Sequence, residues 1–187
     1  MELFDVVDEN GQPTGEIVER TLAHEKGIRH RTAHIWIARE TEAGVEVLMQ
    51  RRAAKKDSFP GRFDTSSAGH IQAGDEPRES ALRELKEELG IAAKPEDLNY
   101  ICSFVIQYEK KFYEKMFKDN EIAFVFAYTK PVDIDKLVLQ KEELDGVEWF
   151  PLEEVISETK KHNQKFCAPL DGLEIIKGYM EKKHGSN

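Results

Sequence analysis

The stretch PRESALRELKEEL, residues 77–89, most constrains what this chain can fold into, because its apolar residues repeat at helical spacing. Four of them share one face: Ala81, Leu82, Leu85 and Leu89. Proline suits the first turn of a helix, and glycine suits the left-handed residue just past its end. With Pro77 and Gly90 in those places, the stretch predicts a helix over residues 77–89 with one buried stripe.

Three glutamates of this predicted helix point away from the apolar stripe. At 100° per residue, Glu88 lies about 40° from Glu84 on one side and Glu87 about 60° on the other. Like charges at this spacing repel, and a divalent cation such as Mg²⁺, which prefers oxygen ligands, would relieve the repulsion in a cleft. From the helix alone, a solvated charged face is the commoner explanation. The arc is therefore a candidate metal platform that needs a second observation.

Strand and helix patterns alternate along the rest of the chain, which predicts an α/β fold around a mixed sheet. The predicted strands are residues 3–8, 16–20, 33–38, 45–52, 98–108, 120–130 and 146–150, and further helices are predicted at 151–161 and 170–183. Residues 21–31 and 109–119 are predicted to be links, and residues 53–77 a long loop with short strands. A loop of that length is uncommon as an inert connection, so it is a functional candidate.

The length of 187 residues suits one domain, and no Pro-, Gly- or Ser-rich linker divides the chain. We expect three parts within that single unit. Residues 1–28 form an N-terminal β extension, residues 29–168 the main domain, and residues 169–187 a C-terminal helix packed on the same domain.

Charge and composition argue against several classes of partner. The formal net charge of −9 opposes non-specific binding to nucleic acid or to anionic membranes. No apolar run approaches the roughly 20 residues that a membrane helix needs. Two cysteines, Cys102 and Cys167, do not make a disulfide framework, and MELFDVVDENG lacks the apolar region of a signal peptide. We therefore expect a cytoplasmic protein without nucleic-acid or membrane partners.

Taken together, AGHIQAGDEPRESALRELKEELGI resembles the signature of the Nudix hydrolases. That signature is a Gly, five residues, a Glu, seven residues and then Arg-Glu-apolar-x-Glu-Glu-x-Gly-apolar. Here Gly69 takes the first place, residues 83–91 match the last part, and Asp75 stands where the signature has Glu. Asp75 is also a candidate N-cap for the following helix. The similarity covers roughly residues 29–160 and implies an α/β/α sandwich with a mixed sheet.

The resemblance also implies chemistry, namely a diphosphate substrate and Mg²⁺ as cofactor, with Mn²⁺ as the alternative. By motif position, Glu84 and Glu88 are the main metal ligands, Glu87 is a further ligand or a partial base, and Arg83 orients the glutamates. A divalent cation there would bridge phosphate oxygens and lower the pKa of a bound water. The general base stays open among four carboxylates: Glu87, Glu88, Glu121 and Glu143.

Two arginines just before the long loop are candidates for substrate binding. Arg51 and Arg52 end a strand pattern, and arginine suits bidentate contact with phosphate. Successive strand residues point to opposite faces, so at most one of them reaches the site. We expect the specificity pocket to form around Phe59, Phe63 and residues 108–117.

The N-terminal half is similar to one branch of the family, the isopentenyl-diphosphate isomerases and their hydrolase-like relatives. The similar stretches are DENGQPTGEIVER, AHEKGIRHR and QRRAAKKDSFPGRFDTSSAGH. By motif position, His24, His30 and His70 correspond to histidines that hold a second metal, although the first two stand one residue closer here. Glu121 corresponds to the isomerase glutamate that serves as acid and metal ligand, and we count it with Arg51 and Arg52 among the candidates for substrate binding. The ordinary alternative for three histidines is hydrogen bonding at the surface or in the core.

Three functions stay open, and Mg²⁺-dependent cleavage of a diphosphate linkage in a nucleoside diphosphate derivative or similar small molecule comes first. The isomerases have a catalytic cysteine where this chain has Ala68, so an isomerase acting on prenyl diphosphates would need another proton donor. A non-catalytic nucleotide sensor is expected to lose glutamates that this chain keeps. The N-terminal extension offers a surface for a homodimer, and the number of subunits stays open.

Overall fold

The computed structural model describes residues 1–185 and confirms the predicted α/β architecture. The strands are β1 (Leu3–Val7), β2 (Pro13–Glu19), β3 (His30–Thr41), β4 (Gly44–Arg52), β5 (Phe63–Asp64), β6 (Ser67–His70), β7 (Leu98–Phe112), β8 (Lys115–Tyr128) and β9 (Leu144–Pro151). The helices are α1 (Arg20–Lys26), α2 (Pro77–Leu89), α3 (Leu152–Lys160) and α4 (Leu170–His184). None of the helices in this part of the chain is both long and apolar enough to cross a membrane.

Seven strands form one mixed sheet, and the first two form a separate hairpin. The main order is β5-β4-β3-β8-β7, with β6 paired to β3 and β9 paired to β4. Strands β3 and β8 run parallel, whereas the other pairs of this sheet are antiparallel. Because β3 lies at the centre, the residues at its start are held between β6 and β8.

Helices cover both faces of the sheet, as the alternation of side chains along β3 requires. Ile35 and Ile37 pack with α2 in one buried cluster. Trp36 and Ala38 pack with α3 and α4 in the other. The α/β/α sandwich is therefore confirmed, and α4 belongs to the same core as the sheet; residues 186–187 of the predicted C-terminal part lie outside the described chain.

Helix α2 has the predicted bounds, with Pro77 in its first turn and Gly90 just past its end. Gly90 has a left-handed φ of 71°, and a Cβ built there would lie 2.9 Å from Val138 Cβ, so conformation and space both select glycine. The expected N-cap role of Asp75 is wrong. Glu76 occupies the cap position, and the Asp75 carboxylate instead accepts a hydrogen bond from Arg83.

The predicted link at residues 21–31 is wrong, because its first part is helix α1. The Glu19 side chain accepts hydrogen bonds from the backbone N–H groups of Thr21 and Leu22, and Gly27 ends the helix at a left-handed φ of 68°. Seven residues are too few to show a clear helical period. The hairpin β1–β2 packs against this helix through Phe4, which is fully buried.

The predicted link at residues 109–119 is also wrong, since β7 and β8 continue through it as a hairpin. Only Tyr113 and Glu114 form the turn, and both have positive φ angles of 45° and 68°. Pairing of β8 with β3 begins at Glu121, so the outer part of the hairpin extends beyond the sheet. Charged residues that alternate with Phe112 and Phe117 hid these strands from a hydropathy pattern.

Candidate active site

One cavity of about 1320 Å³ lies near the start of β3 and is bounded by α1, α2, β6 and the β7–β8 hairpin. Ten of its lining residues are Asp or Glu, and five are Lys or Arg. A cavity with this excess of carboxylates repels an anionic ligand unless cations enter with it. Its composition therefore favours either a cationic ligand or an anion that is accompanied by metal ions.

The first group of carboxylates in this cavity comes from α2. Glu88 is buried, and its Oε2 accepts hydrogen bonds from Ser67 Oγ at 2.6 Å, the Ala68 backbone N–H at 3.2 Å and Gln50 Nε2 at 3.4 Å. Glu84 is partly buried, and Glu87 is exposed at the rim. The structure thus brings all three predicted glutamates to one cavity, with Glu88 the most firmly held.

Gly69 is required by the close approach of Glu84 to the backbone of β6. A Cβ at residue 69 would lie 2.1 Å from Glu84 Cδ, well inside van der Waals contact. Any larger residue would push the Glu84 carboxylate away from its place. The spacing between Gly69 and Glu84 in the sequence therefore has a direct steric cause.

Burial disfavours the ionised forms of Glu84 and Glu88. It raises the pKa of Glu88 to about 8 and that of Glu84 to about 7, and Arg83 only partly opposes the shift at Glu84. Mg²⁺ prefers oxygen ligands such as these two carboxylates, and its charge would favour their ionised forms. The residues present therefore fit a divalent ion.

Arg83 lies beside Glu84, the glutamate that follows it on α2. Its Nη2 is 3.5 Å from Glu84 Oε1 and donates a hydrogen bond to the His70 backbone carbonyl at 3.2 Å. Its Nη1 donates to the Asp75 carboxylate. The guanidinium group thus ties the start of α2 to the end of β6.

A second group joins His24, His30, His70 and Glu121, whose ligand atoms all lie within 4.8 Å of one another. Nε2 of His30 and Nε2 of His70 are each 3.7 Å from Glu121 Oε1. Atoms bound to one ion of zinc or manganese size stand about 3–4 Å apart, given bonds of about 2.0–2.2 Å. The structure therefore brings together His24, His30 and His70, the three histidines that the resemblance to the isomerases predicts to lie near one another.

The protonation of these rings also fits a metal. Nδ1 of His24 hydrogen-bonds the Arg20 carbonyl at 2.9 Å, and Nδ1 of His30 hydrogen-bonds the Ile28 carbonyl at 2.9 Å. A carbonyl only accepts, so both rings carry the proton on Nδ1 and leave an Nε2 lone pair free. Within residues 1–185, Nε2 of all three histidines is enclosed without a hydrogen-bond partner. Burial lowers the pKa of each ring, which keeps the lone pairs available.

Two further residues of this second group were missed from the sequence. The Asp119 carboxylate lies 3.8 Å from His24 Nε2, and burial raises its pKa to about 8. Phe4 stacks on His30 and His70 at ring distances of 4.9 and 4.5 Å. The period of two in DNE, which puts Asp119 beside Glu121 on one face, was a usable signal, whereas nothing near Phe4 pointed to the site.

His34 was missed as well, although HRTAHIW has a period of two that puts it on the face of His30. It lines the cavity and is 7% exposed, with Nε2 4.0 Å from Glu121 Oε2. Burial lowers the pKa of His34 to about 4, so the ring is neutral at pH 7.

Of the two predicted arginines, the structure brings only Arg52 to the cavity. Arg52 Nη1 donates to Asp64 Oδ2 at 3.1 Å, and its Nε donates to the Ser58 carbonyl at 2.9 Å. Arg51 is exposed and points toward Gly146 on β9. Glu143, a candidate base, lines the cavity and is paired with Lys56.

Most of the residues that we expect around the specificity pocket lie at the cavity. Phe59, Tyr108, Phe112 and Phe117 line the cavity, and Phe59 contacts Phe112 edge-on at 5.0 Å. Phe63 is wrong for this role, because it is buried in the core with Phe150 and Phe166.

Comparison with known proteins places this arrangement in a family. The sequence model of the protein family described as NUDIX domain matches residues 28–168. The chain belongs to the Nudix family. Nudix hydrolase 3 of Arabidopsis thaliana is 41% identical over 155 residues, which are 82% of this chain and 20% of that protein, so the chain spans about a fifth of that relative's length. An uncharacterized Nudix hydrolase of Clostridium acetobutylicum is 35% identical over 154 residues, covering 82% of this chain and 72% of the relative.

The Nudix relatives include isomerases as well as hydrolases. An isopentenyl-diphosphate Delta-isomerase of Cereibacter sphaeroides is 30% identical over 149 residues, covering 80% of this chain and 78% of the isomerase. Among solved structures, DR0079 from Deinococcus radiodurans has a TM-score of 0.67 at 19% identity and covers 94% of this chain and 98% of its own, which supports the Nudix fold. Membership of the Nudix family and the named hydrolases support a pyrophosphohydrolase enzyme.

Proposed function

We propose that this Nudix protein is a Mg²⁺-dependent hydrolase, with Mn²⁺ as the alternative ion, that cleaves a diphosphate linkage. The substrate is a nucleoside diphosphate derivative or a similar small molecule. One observation carries the proposal: Glu84 and Glu88 are held in a cavity where burial disfavours their ionisation, and a divalent cation would supply the missing charge.

The residues of this chain have separate tasks in that reaction. Glu84, Glu87 and Glu88 would hold Mg²⁺, which when bound supplies charge for phosphate oxygens and a more acidic water. Ser67 and Gln50 keep Glu88 oriented through their hydrogen bonds. Glu87, at the exposed rim of the cavity, is our candidate for the carboxylate that takes the proton from the attacking water.

The second group supports a further divalent cation at His24, His30, His70 and Glu121, with Asp119 beside them. Neutral imidazoles and carboxylates are suitable donors for such an ion. It would add positive charge to the cavity. Arg52, whose charge is shared with Asp64, is the remaining candidate for phosphate contact, and Arg51 would have to move to take part.

One observation favours the isomerase alternative. His24, His30 and His70 correspond by motif position to metal-binding histidines of isopentenyl-diphosphate isomerases, and such isomerases are among the relatives. Residue 68 speaks against it, since the methyl group of Ala68 cannot give or take a proton. A non-catalytic nucleotide sensor is disfavoured by the retained Glu84, Glu87 and Glu88. These alternatives differ in product, so one assay separates them.

The wider assignments form part of the same proposal. We place the protein in the cytoplasm, with a small diphosphate as its partner and without nucleic-acid or membrane partners, in keeping with the net charge of −9. The parts 1–28, 29–168 and 169–187 stay our proposed division of one domain. The exposed Ile17 of the N-terminal hairpin is a contact point that a homodimer could use.

The deciding experiment incubates the protein with nucleoside diphosphates, dinucleotides, sugar nucleotides and prenyl diphosphates, with Mg²⁺, Mn²⁺ or EDTA. We expect metal-dependent release of phosphate groups from one class, and its loss in Glu84→Gln. Glu79→Gln is the matched control, because Glu79 lies on the same helix at an exposed position. No turnover of any compound would contradict the hydrolase, and conversion of isopentenyl diphosphate to its isomer would establish the isomerase instead.

A further inference from the structure

His34 lies on β3 between β6 and β8, and its side chain lines the cavity. In the strand register His34 is opposite Ala68 of β6 and beside Val125 of β8. Side chains directly opposite in an antiparallel pair have Cβ atoms about 5 Å apart and point to the same face. The ring of His34 therefore stands over Ala68.

Ala68 connects this ring to the Nudix glutamates. Its backbone N–H donates to Glu88 Oε2 at 3.2 Å, while its side chain faces His34. On the other side, His34 Nε2 is 4.0 Å from Glu121 Oε2 of the histidine group. His34, Ala68, Glu88 and Glu121 all line the cavity, so a ligand that lies over Ala68 is beside this ring.

The two ring nitrogens have different surroundings. In the described part of the chain, Nδ1 is enclosed and has no hydrogen-bond partner. A buried N–H without a partner is rarer in proteins than a buried acceptor without one, so the proton of the neutral ring belongs on Nε2. The ring then presents an N–H donor beside Glu121, and Phe104 packs edge-on against it at 6.1 Å and limits its rotation.

We propose that His34 Nε2 donates a hydrogen bond to an oxygen of the substrate's diphosphate where that group lies over Ala68. The inference rests on the proposed diphosphate hydrolysis and adds a substrate-binding residue to it. A hydrocarbon chain over Ala68 would leave this donor unsatisfied, which is unfavourable in a buried site. The donor therefore selects a phosphate group at the place where a prenyl isomerase would need its carbon.

Three variants of His34 separate the donor from the ring. The amide nitrogen of His34→Gln can stand close to the place of Nε2, that of His34→Asn close to the place of Nδ1, and His34→Phe keeps a ring without a donor. Methylenediphosphonate, a diphosphate analogue in which CH₂ replaces the bridging oxygen and which therefore resists hydrolysis, is titrated into each variant with Mg²⁺ by calorimetry. Bound Mn²⁺ is counted by electron paramagnetic resonance, and His184→Phe serves as control because His184 is exposed on α4.

We expect His34→Phe and His34→Asn to bind methylenediphosphonate about 30-fold more weakly, as the loss of a hydrogen bond to a charged acceptor predicts. His34→Gln should bind within about fivefold of the unaltered protein, and all variants should keep the same number of Mn²⁺ ions. Equal binding by His34→Phe, equal weakening in His34→Gln, or a lost Mn²⁺ ion would each overturn the role of His34.

Failure of the proposed hydrolysis and failure of the role of His34 give different experimental results. If the unaltered protein neither binds methylenediphosphonate nor hydrolyses any diphosphate, the proposed function and the role of His34 both fall. If the unaltered protein does both, and His34→Phe matches it, only the role of His34 falls.

Discussion

The two ligand groups of the cavity differ in how the chain builds them. Glu84, Glu87 and Glu88 come from two turns of α2, so helical spacing alone brings them together. His24, His30, His70 and Glu121 come from α1, β3, β6 and β8, and only the sheet register brings them within 4.8 Å. The site therefore combines a motif that is local in the sequence with a group that comes together only when the chain folds.

The two groups also differ in what holds them. Glu88 is fixed by hydrogen bonds from β4 and β6, and Glu84 by its fit against Gly69. The histidines are held by backbone carbonyls and by stacking, with Phe4 against His30 and His70. The N-terminal extension is therefore a wall of the site, because it contributes both Phe4 and His24.

The largest expected effect tests the helix group. Glu88→Gln should lower kcat/KM with Mg²⁺ roughly 1,000-fold, about 4 kcal/mol, because it removes a charged ligand of the ion. The metal-free variant should melt at the same or a higher temperature, since it no longer buries an ionisable carboxyl. Turnover on the best substrate and Tm are measured beside Glu79→Gln. Retention of more than a tenth of the activity would contradict the role of Glu88.

Gly69→Ala tests the position of Glu84 in the helix group, because it acts on Glu84 without changing a ligand. The added Cβ would lie 2.1 Å from Glu84 Cδ, so we expect the carboxylate to move and activity to fall about 100-fold. Kinetics and Mn²⁺ affinity are measured. Gly146→Ala is the control, because its Cβ would meet only Arg51 Nη2 at 3.7 Å. Unchanged Mn²⁺ affinity in Gly69→Ala would show that Glu84 is not a ligand.

His30→Asn breaks the histidine group alone. We expect the number of bound Mn²⁺ ions to fall by one and activity to fall about 10- to 100-fold, as for loss of a supporting metal contact. The ion held by α2 should remain, since its ligands are elsewhere. Exposed His184→Asn is the control for the substitution. Two bound ions in His30→Asn would show that His30 is not a ligand of a second cation.

The smallest effect is a pH dependence. The raised pKa values of Glu84, about 7, and Glu88, about 8, lie above the ordinary 4.5 of a glutamate. Their protonated forms stabilise the metal-free fold in full below about pH 4.5, and this contribution is lost as pH rises through 7 to 8. A cation needs the ionised forms, so its stabilising effect should grow over the same range.

The measurement compares the Tm gain from Mg²⁺ at pH 6 and at pH 8.5. We expect a larger gain at pH 8.5, because the ion then displaces fewer protons from the carboxyl groups. Each displaced proton costs about 1.4 kcal/mol for every pH unit below the pKa of its carboxyl group. Glu88→Gln should show a smaller difference between the two pH values. Equal gains at both pH values would mean that the ion binds without these carboxyls.

Much of the fold could be predicted from the sequence, because helix α2 and strands β3, β4 and β9 have clear periods and end signals. Helix α1 was missed because its seven residues are held by Glu19 and Gly27 rather than by an apolar face. The outer β7–β8 hairpin was missed because it extends past the sheet and carries charged residues between its aromatic ones.

The sequence by itself determined the carboxylate arc on α2, because 3.6 residues per turn put Glu84, Glu87 and Glu88 together wherever the helix lies. It also indicated Gly69 and, through similarity, the three histidines. Only the folded chain shows which of Arg51 and Arg52 reaches the cavity, that Asp119 and His34 line it, and that Phe4 stacks on His30 and His70. The physical reason is that strand register and packing join residues from separate elements, and local spacing holds no record of that.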